Sequence, residues 1–166
     1  VTPAQDSAEV KDLLTGPEIR IYESENQQLS NGAVVRVDSA GYFMSGSTIK
    51  MEQGAEAAYK INVPVDGKYK IDTVYINGTG SVLGQSPNHN PLNIKQTFTV
   101  DQGEPKDILL KSTLTKNITG MVTEYVDLKA GEHTITFRTK DNGTIYHDFM
   151  VVTLDRGYGE KRSVNK

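Results

Sequence analysis

Cysteine and tryptophan are both absent from the 166 residues of this chain. Without cysteine, disulfide frameworks, thiolate catalysis and cysteine-ligated zinc are excluded. No apolar run approaches the ~20 residues of a membrane-spanning helix, so membrane insertion is not expected. Basic residues are not in excess, because 18 Lys and Arg stand against 21 Asp and Glu, for a net charge of −3. A nucleic-acid partner is therefore not expected either.

The residues that are abundant favour β-structure. Val, Ile and Thr number 42, whereas Ala and Leu number only 18, and 15 glycines are present. β-Branched residues with frequent glycine are typical of short strands joined by tight turns. The chain length is that of one average domain. The composition therefore predicts a single all-β domain.

Short segments with a polarity period of two predict the strands and their arrangement. The predicted strands are 19–25, 34–37, 48–51, 57–63, 69–76, 94–100, 108–111, 121–128, 134–139 and 148–154. Their number and regular turn spacing predict a jelly-roll β-sandwich of two antiparallel sheets. The turn at Pro64-Val65-Asp66-Gly67 is expected to join 57–63 and 69–76 as one hairpin. The irregular stretch 77–93 is expected to be a binding loop or a mobile loop.

One helix is predicted, at the N-terminus. Thr2 and Pro3 form a capping pattern, Val10 and Leu13 share one helical face, and Gly16-Pro17 ends the segment. The chain is accordingly divided into an N-terminal helix or linker (1–17), a β-sandwich (18–155) and a polar tail or linker (156–166). It starts at Val1 without Met, which favours a mature or excised piece of a longer protein.

Three carboxylates stand out because each lies in line with apolar strand residues. Glu23 and Glu25 are expected about 7 Å apart on one face of the first strand, the face of Ile19 and Ile21. Asp148 is expected to open a strand whose inward row continues with Met150, Val152 and Leu154. Buried acids at such places would repel unless a cation joins them, and oxygen ligands suit calcium. The alternative is that the strand ends are exposed and the carboxylates solvated.

No catalytic constellation is predicted. The three histidines, His89, His133 and His147, have no ligand-like spacing, and His147 is expected to face away from the side of Asp148. A nucleophile elbow, a phosphate-binding glycine loop and a zinc signature are all missing. The spacing of Glu23 and Glu25 would permit glycoside hydrolysis, but a pair aligned with core residues is poorly placed to flank a bond in a cleft.

The order of several segments resembles carbohydrate-binding modules of families 6 and 35. Ile21-Tyr22-Glu23-Ser24-Glu25 resembles their first strand, and 54–63 followed by Gly67-Lys68-Tyr69 resembles their next landmark. The segment 119–135 resembles their penultimate hairpin, and Asp148-Phe149-Met150 resembles the start of their last strand.

This resemblance implies a galactose-binding-like β-sandwich that binds a polysaccharide or oligosaccharide and has no catalytic activity. It implies a secreted or cell-surface location and a neighbouring catalytic domain in the parent chain. It also implies a structural calcium held by Glu23, Glu25 and Asp148. For the sugar site it implies aromatic residues and an asparagine in the loops, and four residues of this sequence are candidates for these roles. They are Tyr42, Phe43, Asn142 and Tyr146.

Two positions where the resembled families carry tryptophan hold Glu56 and Val122, and an asparagine position holds Tyr146. Stacking of sugar rings on aromatic faces is therefore left to Tyr42 and Tyr146, for which ordinary packing at a sheet edge is the other interpretation. The alternative function is a structural or adhesive spacer domain of a secreted or cell-surface protein, without sugar binding. A small hydrolase or lyase that uses the acid pair is the third hypothesis.

Overall fold

The structure, a computed structural model, describes residues 19–37, 47–80, 91–115 and 118–156. Eleven strands and one short 3₁₀ turn (Ser24–Asn26) account for their regular structure. The strands are β1 (Ile19–Glu23), β2 (Gln28–Ser30), β3 (Val34–Val37), β4 (Ser47–Met51), β5 (Glu56–Val63), β6 (Gly67–Ile76), β7 (Ile94–Val100), β8 (Lys106–Leu110), β9 (Gly120–Leu128), β10 (Gly131–Thr139) and β11 (Ile145–Leu154). No helix among these residues has the length and apolar character needed to cross a membrane.

The strands form two antiparallel sheets. The six-stranded sheet has the order β3-β4-β11-β6-β9, and β1 pairs with the second half of β11 beside β4. The five-stranded sheet has the order β2-β5-β10-β7-β8. The prediction of an all-β sandwich of two antiparallel sheets is confirmed. The predicted N-terminal helix lies in residues outside those described and has no support here, and residues 157–166 of the tail also lie outside them.

The core lies between the two sheets and follows the alternation of the strands. On β5, Ala57, Tyr59, Ile61 and Val63 are buried, while Lys60 and Asn62 between them are exposed. The opposite wall comes from the six-stranded sheet, including Ile49, Ile71 and Met150. Burial of these side chains supplies about 25 cal/mol for each Å² of apolar surface removed from water.

The predicted hairpin of 57–63 with 69–76 is wrong. β5 pairs with β2 and β10, whereas β6 pairs with β11 and β9, so the two strands lie in opposite sheets. The segment between Val63 and Gly67 therefore crosses the ~10 Å that separate packed sheets. The same correction applies to the expected penultimate hairpin, because β9 pairs with β6 and β10 with β5 and β7. Polarity alternation reports which face is buried, not which sheet receives the strand.

The strands that carry the three acids also differ from the sequence prediction. β1 ends at Glu23, and Glu25 lies in the 3₁₀ turn rather than on the strand. Ile21 is 48% exposed, and it is Tyr22 that packs against the core, so the expected inward row of Ile19 and Ile21 is wrong. β11 begins at Ile145, and Asp148 lies at a register irregularity within the strand instead of opening it. Met150 and Val152 do face the core as expected.

Candidate functional site

The three predicted acids belong to elements that meet at one place in the fold. Glu23 ends β1, Glu25 lies in the 3₁₀ turn that follows, and the turn packs against β4 and β11. Asp148 lies in β11 at the irregularity between His147 and Phe149, and it is fully buried. Burial raises the pKa of Glu23, and the charges of Glu25 and Asp148 raise it further. The structure therefore brings Glu23, Glu25 and Asp148 into electrostatic contact.

Several oxygen atoms at this place are buried without a hydrogen-bond partner among the described residues. They include Oε2 of Glu23, Oε2 of Glu25 and Oγ1 of Thr48. A buried polar atom without a partner costs about 1–3 kcal/mol, and more when it is charged. In the described ranges, no group of three or more acidic or histidine side chains is arranged so that it could hold a metal ion. Binding of a cation would therefore require these side chains to turn towards it.

Thr48 is a candidate ligand that the sequence did not reveal. It is the second residue of β4, directly before Ile49, and is fully buried. A threonine in a short strand is common in any β-protein, so nothing in its neighbourhood signals a polar role. The 3₁₀ turn that carries Glu25 packs against β4, the strand that carries Thr48.

A second polar group lies directly behind the acids, in the core. Ser24, between Glu23 and Glu25, has Oγ 2.5 Å from Tyr59 Oη, and Tyr59 Oη lies 3.1 Å from His147 Nδ1. All three side chains are fully buried. Burial lowers the pKa of His147 to about 3, so its imidazole is neutral at physiological pH. His147 thus faces the sandwich interior.

The predicted sugar-site residues are not all brought together. Tyr42 and Phe43 lie outside the described residues. Tyr146 is 8% exposed and borders a cavity of about 220 Å³ with Lys50, Thr79 and Thr144. Asn142 is exposed in the preceding turn and is not one of the described residues that border this cavity.

A larger groove lies on the outer face of the five-stranded sheet, and the sequence did not predict it. Its volume is about 700 Å³, within the ~300–1,000 Å³ usual for ligand pockets. Paired strands supply its floor, where Arg138 lies between Glu56 of β5 and Thr97 of β7. The lining residues are Gln53, Gly54, Glu56, Thr97, Thr99, Pro105, Thr136, Arg138, Thr139 and Lys140.

The groove is polar and its charges are largely balanced. Arg138 lies 3.8 Å from Glu56, and Lys140 lies 2.8 Å from Asp107, which borders the groove through this pair. The remaining side chains are mostly threonines, together with one glutamine and one proline. Hydroxyl, carboxylate and guanidinium groups at the surface can donate to and accept from a polyhydroxylated ligand. No aromatic residue is among the described residues that line the groove, so a stacking platform is missing there.

Comparison with known proteins yields no match by sequence and many by structure. No protein-family model matches the chain, and no curated protein sequence matches it significantly. A family 35 carbohydrate-binding module from Clostridium thermocellum aligns over 81% of this chain and 98% of its own, with a TM-score of 0.67 and 20% identity. The C-terminal family 6 module of a marine laminarinase from Zobellia galactanivorans aligns over 81% and 98%, with a TM-score of 0.62 and 18% identity.

The chain has the fold of a carbohydrate-binding module. The same fold occurs within an enzyme chain, the exo-β-1,3-galactanase of Phanerochaete chrysosporium, solved with β-1,3-galactotriose. There the alignment covers 81% of this chain but only 29% of the galactanase, with a TM-score of 0.65 and 20% identity. The carbohydrate-binding-module fold therefore matches complete modules at nearly full length and large enzymes over one part.

Proposed function

We propose that this chain is a non-catalytic carbohydrate-binding module that directs a secreted, polysaccharide-active enzyme to its glycan. The observation that best supports this proposal is the share of each solved structure that aligns with this chain. The fold accounts for 98% of two solved carbohydrate-binding modules but only 29% of the galactanase. A domain equivalent to the accessory part of such enzymes has a binding role, and its location would be extracellular like that of its substrate.

The groove on the five-stranded sheet is the proposed glycan surface among the described residues. Its volume suits an oligosaccharide, whereas the cavity beside Tyr146, at about 220 Å³, lies below the usual range for ligand pockets. The Arg138–Glu56 pair offers donors and acceptors side by side, as vicinal sugar hydroxyls require. The loop set of Tyr42, Phe43, Asn142 and Tyr146 stays a competing prediction.

A structural calcium is proposed at Glu23, Glu25 and Asp148, with Thr48 as a neutral oxygen ligand. The fit rests on the buried, partnerless oxygens of Glu23, Glu25 and Thr48, and on the negative charge that the three acids concentrate. Calcium takes oxygen ligands at flexible geometry, which suits carboxylates from separate elements. When bound, the ion would offset carboxylate repulsion and tie the end of β1 to β11.

Affinity electrophoresis against plant, fungal, bacterial and host polysaccharides tests the binding function. Retardation by at least one glycan is expected for the native chain. Arg138→Ala is expected to abolish it, while the control Lys68→Ala, which removes an exposed cation from the other sheet, leaves it intact. Loss of retardation in Tyr42→Ala but not in Arg138→Ala would place the site in the loops instead.

The spacer function is the alternative. It is favoured by the absence of tryptophan and by the absence of an aromatic side chain among the described groove residues. A spacer would use calcium for stability but would bind no glycan. Absence of retardation by every glycan class, together with calcium-dependent stability, would therefore decide for the spacer function.

A further inference from the structure

A chain of buried hydrogen bonds runs through the core from the 3₁₀ turn to the five-stranded sheet. It starts with the contacts Ser24–Tyr59 (2.5 Å) and Tyr59–His147 (3.1 Å). From His147 Nε2 it continues to Gln96 Oε1 at 2.8 Å, and from Gln96 Nε2 to Thr139 Oγ1 at 3.0 Å. All five side chains have 0% exposure. The Phe137 ring packs edge-on against both Tyr59 and His147, so apolar surface surrounds the chain.

The last acceptor fixes the direction of the bonds from Thr139 back to His147, and the neutral imidazole fixes the other two. The Thr139 hydroxyl reaches the backbone carbonyl of Met51, which can only accept, so Thr139 donates there and accepts from Gln96 Nε2. Gln96 Oε1 must then accept from a protonated His147 Nε2. In a neutral imidazole this leaves Nδ1 as an acceptor, and Tyr59 donates to it. The oxygen of Tyr59 in turn accepts the hydrogen of Ser24.

This direction matters for the acids because Ser24 lies between Glu23 and Glu25. Its only hydroxyl hydrogen is given to Tyr59, so Ser24 cannot donate to either carboxylate. The Oε2 atoms of both glutamates are buried without a hydrogen-bond partner among the described residues. On the other side of Tyr59, His147 directly precedes Asp148 in β11. Tyr59 therefore joins the two chain segments that carry the acids, and it does so from the opposite sheet.

We propose that Tyr59 is a positioning residue for the calcium site, because its hydroxyl holds Ser24 and His147 and thereby sets where Glu23, Glu25 and Asp148 lie. The proposal rests on the calcium site of the proposed function. Partners that orient metal ligands without touching the metal typically contribute roughly 10–100-fold to metal affinity.

The experiment compares Tyr59→Phe with Tyr69→Phe by calorimetric titration of the metal-free protein with calcium. Both tyrosines are almost fully buried, and each hydroxyl is hydrogen-bonded, but Tyr69 donates to the carbonyl of Val65 in the turn between β5 and β6. Roughly tenfold weaker calcium binding is expected for Tyr59→Phe, and unchanged binding for Tyr69→Phe. Equal affinities in the native chain and Tyr59→Phe would overturn the positioning role, as would equal losses in both variants.

Two further measurements keep the proposal testable where Tyr59→Phe does not fold. Ser24→Ala breaks the same chain at its outer end and is expected to weaken calcium binding as well. Nitrogen-15 NMR of the native, metal-free protein is expected to show His147 protonated at Nε2, and protonation at Nδ1 instead would refute the bond directions. If the native chain binds no calcium, the proposed metal site itself fails, and the tautomer still reports on the hydrogen-bond chain alone.

Discussion

Glu23 and Asp148 interact electrostatically in the folded chain, although one ends the first strand and the other lies within the last. The charge of Asp148 adds to burial and to the charge of Glu25 in raising the pKa of Glu23. Folding therefore concentrates negative charge around Glu23.

Calcium is expected to stabilise the native fold, and chelation to destabilise it. A ligand that binds only the folded state at 100 times its dissociation constant contributes about 2.7 kcal/mol. For a domain of this size, that amounts to a rise in melting temperature of roughly 5–10 °C. Differential scanning calorimetry with calcium and with EDTA measures it. In Glu23→Gln the calcium-dependent rise should disappear, and a native chain with the same melting temperature in both buffers would contradict the site.

The metal-free protein is expected to gain stability on mild acidification. Since the folded state raises the pKa of Glu23 above 4.5, the folded chain binds more protons than the unfolded chain between 4.5 and the raised value. Its free energy of unfolding should therefore fall as pH rises through that window. Urea unfolding in EDTA across this range checks the sign. Glu23→Gln should flatten this contribution, as should saturating calcium, because the bound ion displaces the proton.

His133 and Asp101 give a third prediction, at the opposite end of β10 from the groove. His133 Nδ1 lies 2.7 Å from Asp101 Oδ2, and this hydrogen bond raises the pKa of His133 above 6.5. Partial burial of Asp101 acts to raise its pKa, but the hydrogen bonds from His133 and Thr134 outweigh this effect and hold the pKa of Asp101 below its usual range. The contribution of His133 to the free energy of unfolding should be fully present below the ordinary histidine pKa of 6.5. It should be lost as pH rises through the raised pKa of His133.

A proton NMR titration follows His133 and His147 in the same experiment. His133 should titrate above 6.5, whereas His147, with a pKa of about 3, should stay neutral at neutral and mildly acidic pH. Asp101→Asn is the matched variant, because Asn tolerates the positive φ of 53° at this position and keeps an oxygen for the Thr134 amide. It should return the pKa of His133 towards 6.5, and a persistently raised value would refute the pairing.

Local pattern was sufficient for the approximate places of ten of the eleven strands, whereas β2 (Gln28–Ser30) was not predicted. The alternation on β5 gave its buried face, because a side chain on a half-buried strand can only point inward or outward. Segment order also placed Glu23, Glu25 and Asp148 in one group, which folding brings into contact.

Long-range placement was not predictable in the same way. The short link before Gly67 can fold back as a hairpin or cross to the other sheet, and both outcomes bury the same faces of β5 and β6. Glu25 was misplaced on a strand because two acids spaced by one residue fit a strand and a 3₁₀ turn equally. The groove has no local signal, since its floor combines residues of β5, β7 and β10 that are far apart in sequence.

Asn77 closes the base of the loop that follows β6, and its substitution gives the last prediction. The side chain is fully buried, its Nδ2 donates to the carbonyls of Leu92 and Leu110, and its Oδ1 accepts from the Thr79 amide. Asn77→Asp would replace the donor with a charged oxygen that faces two carbonyls, at a cost of about 3 kcal/mol or more. The matched control Asn62→Asp, at an exposed position on β5, should change stability by less than ~0.5 kcal/mol. Urea unfolding compares the two variants, and similar free energies of unfolding would show that Asn77 does not hold this loop.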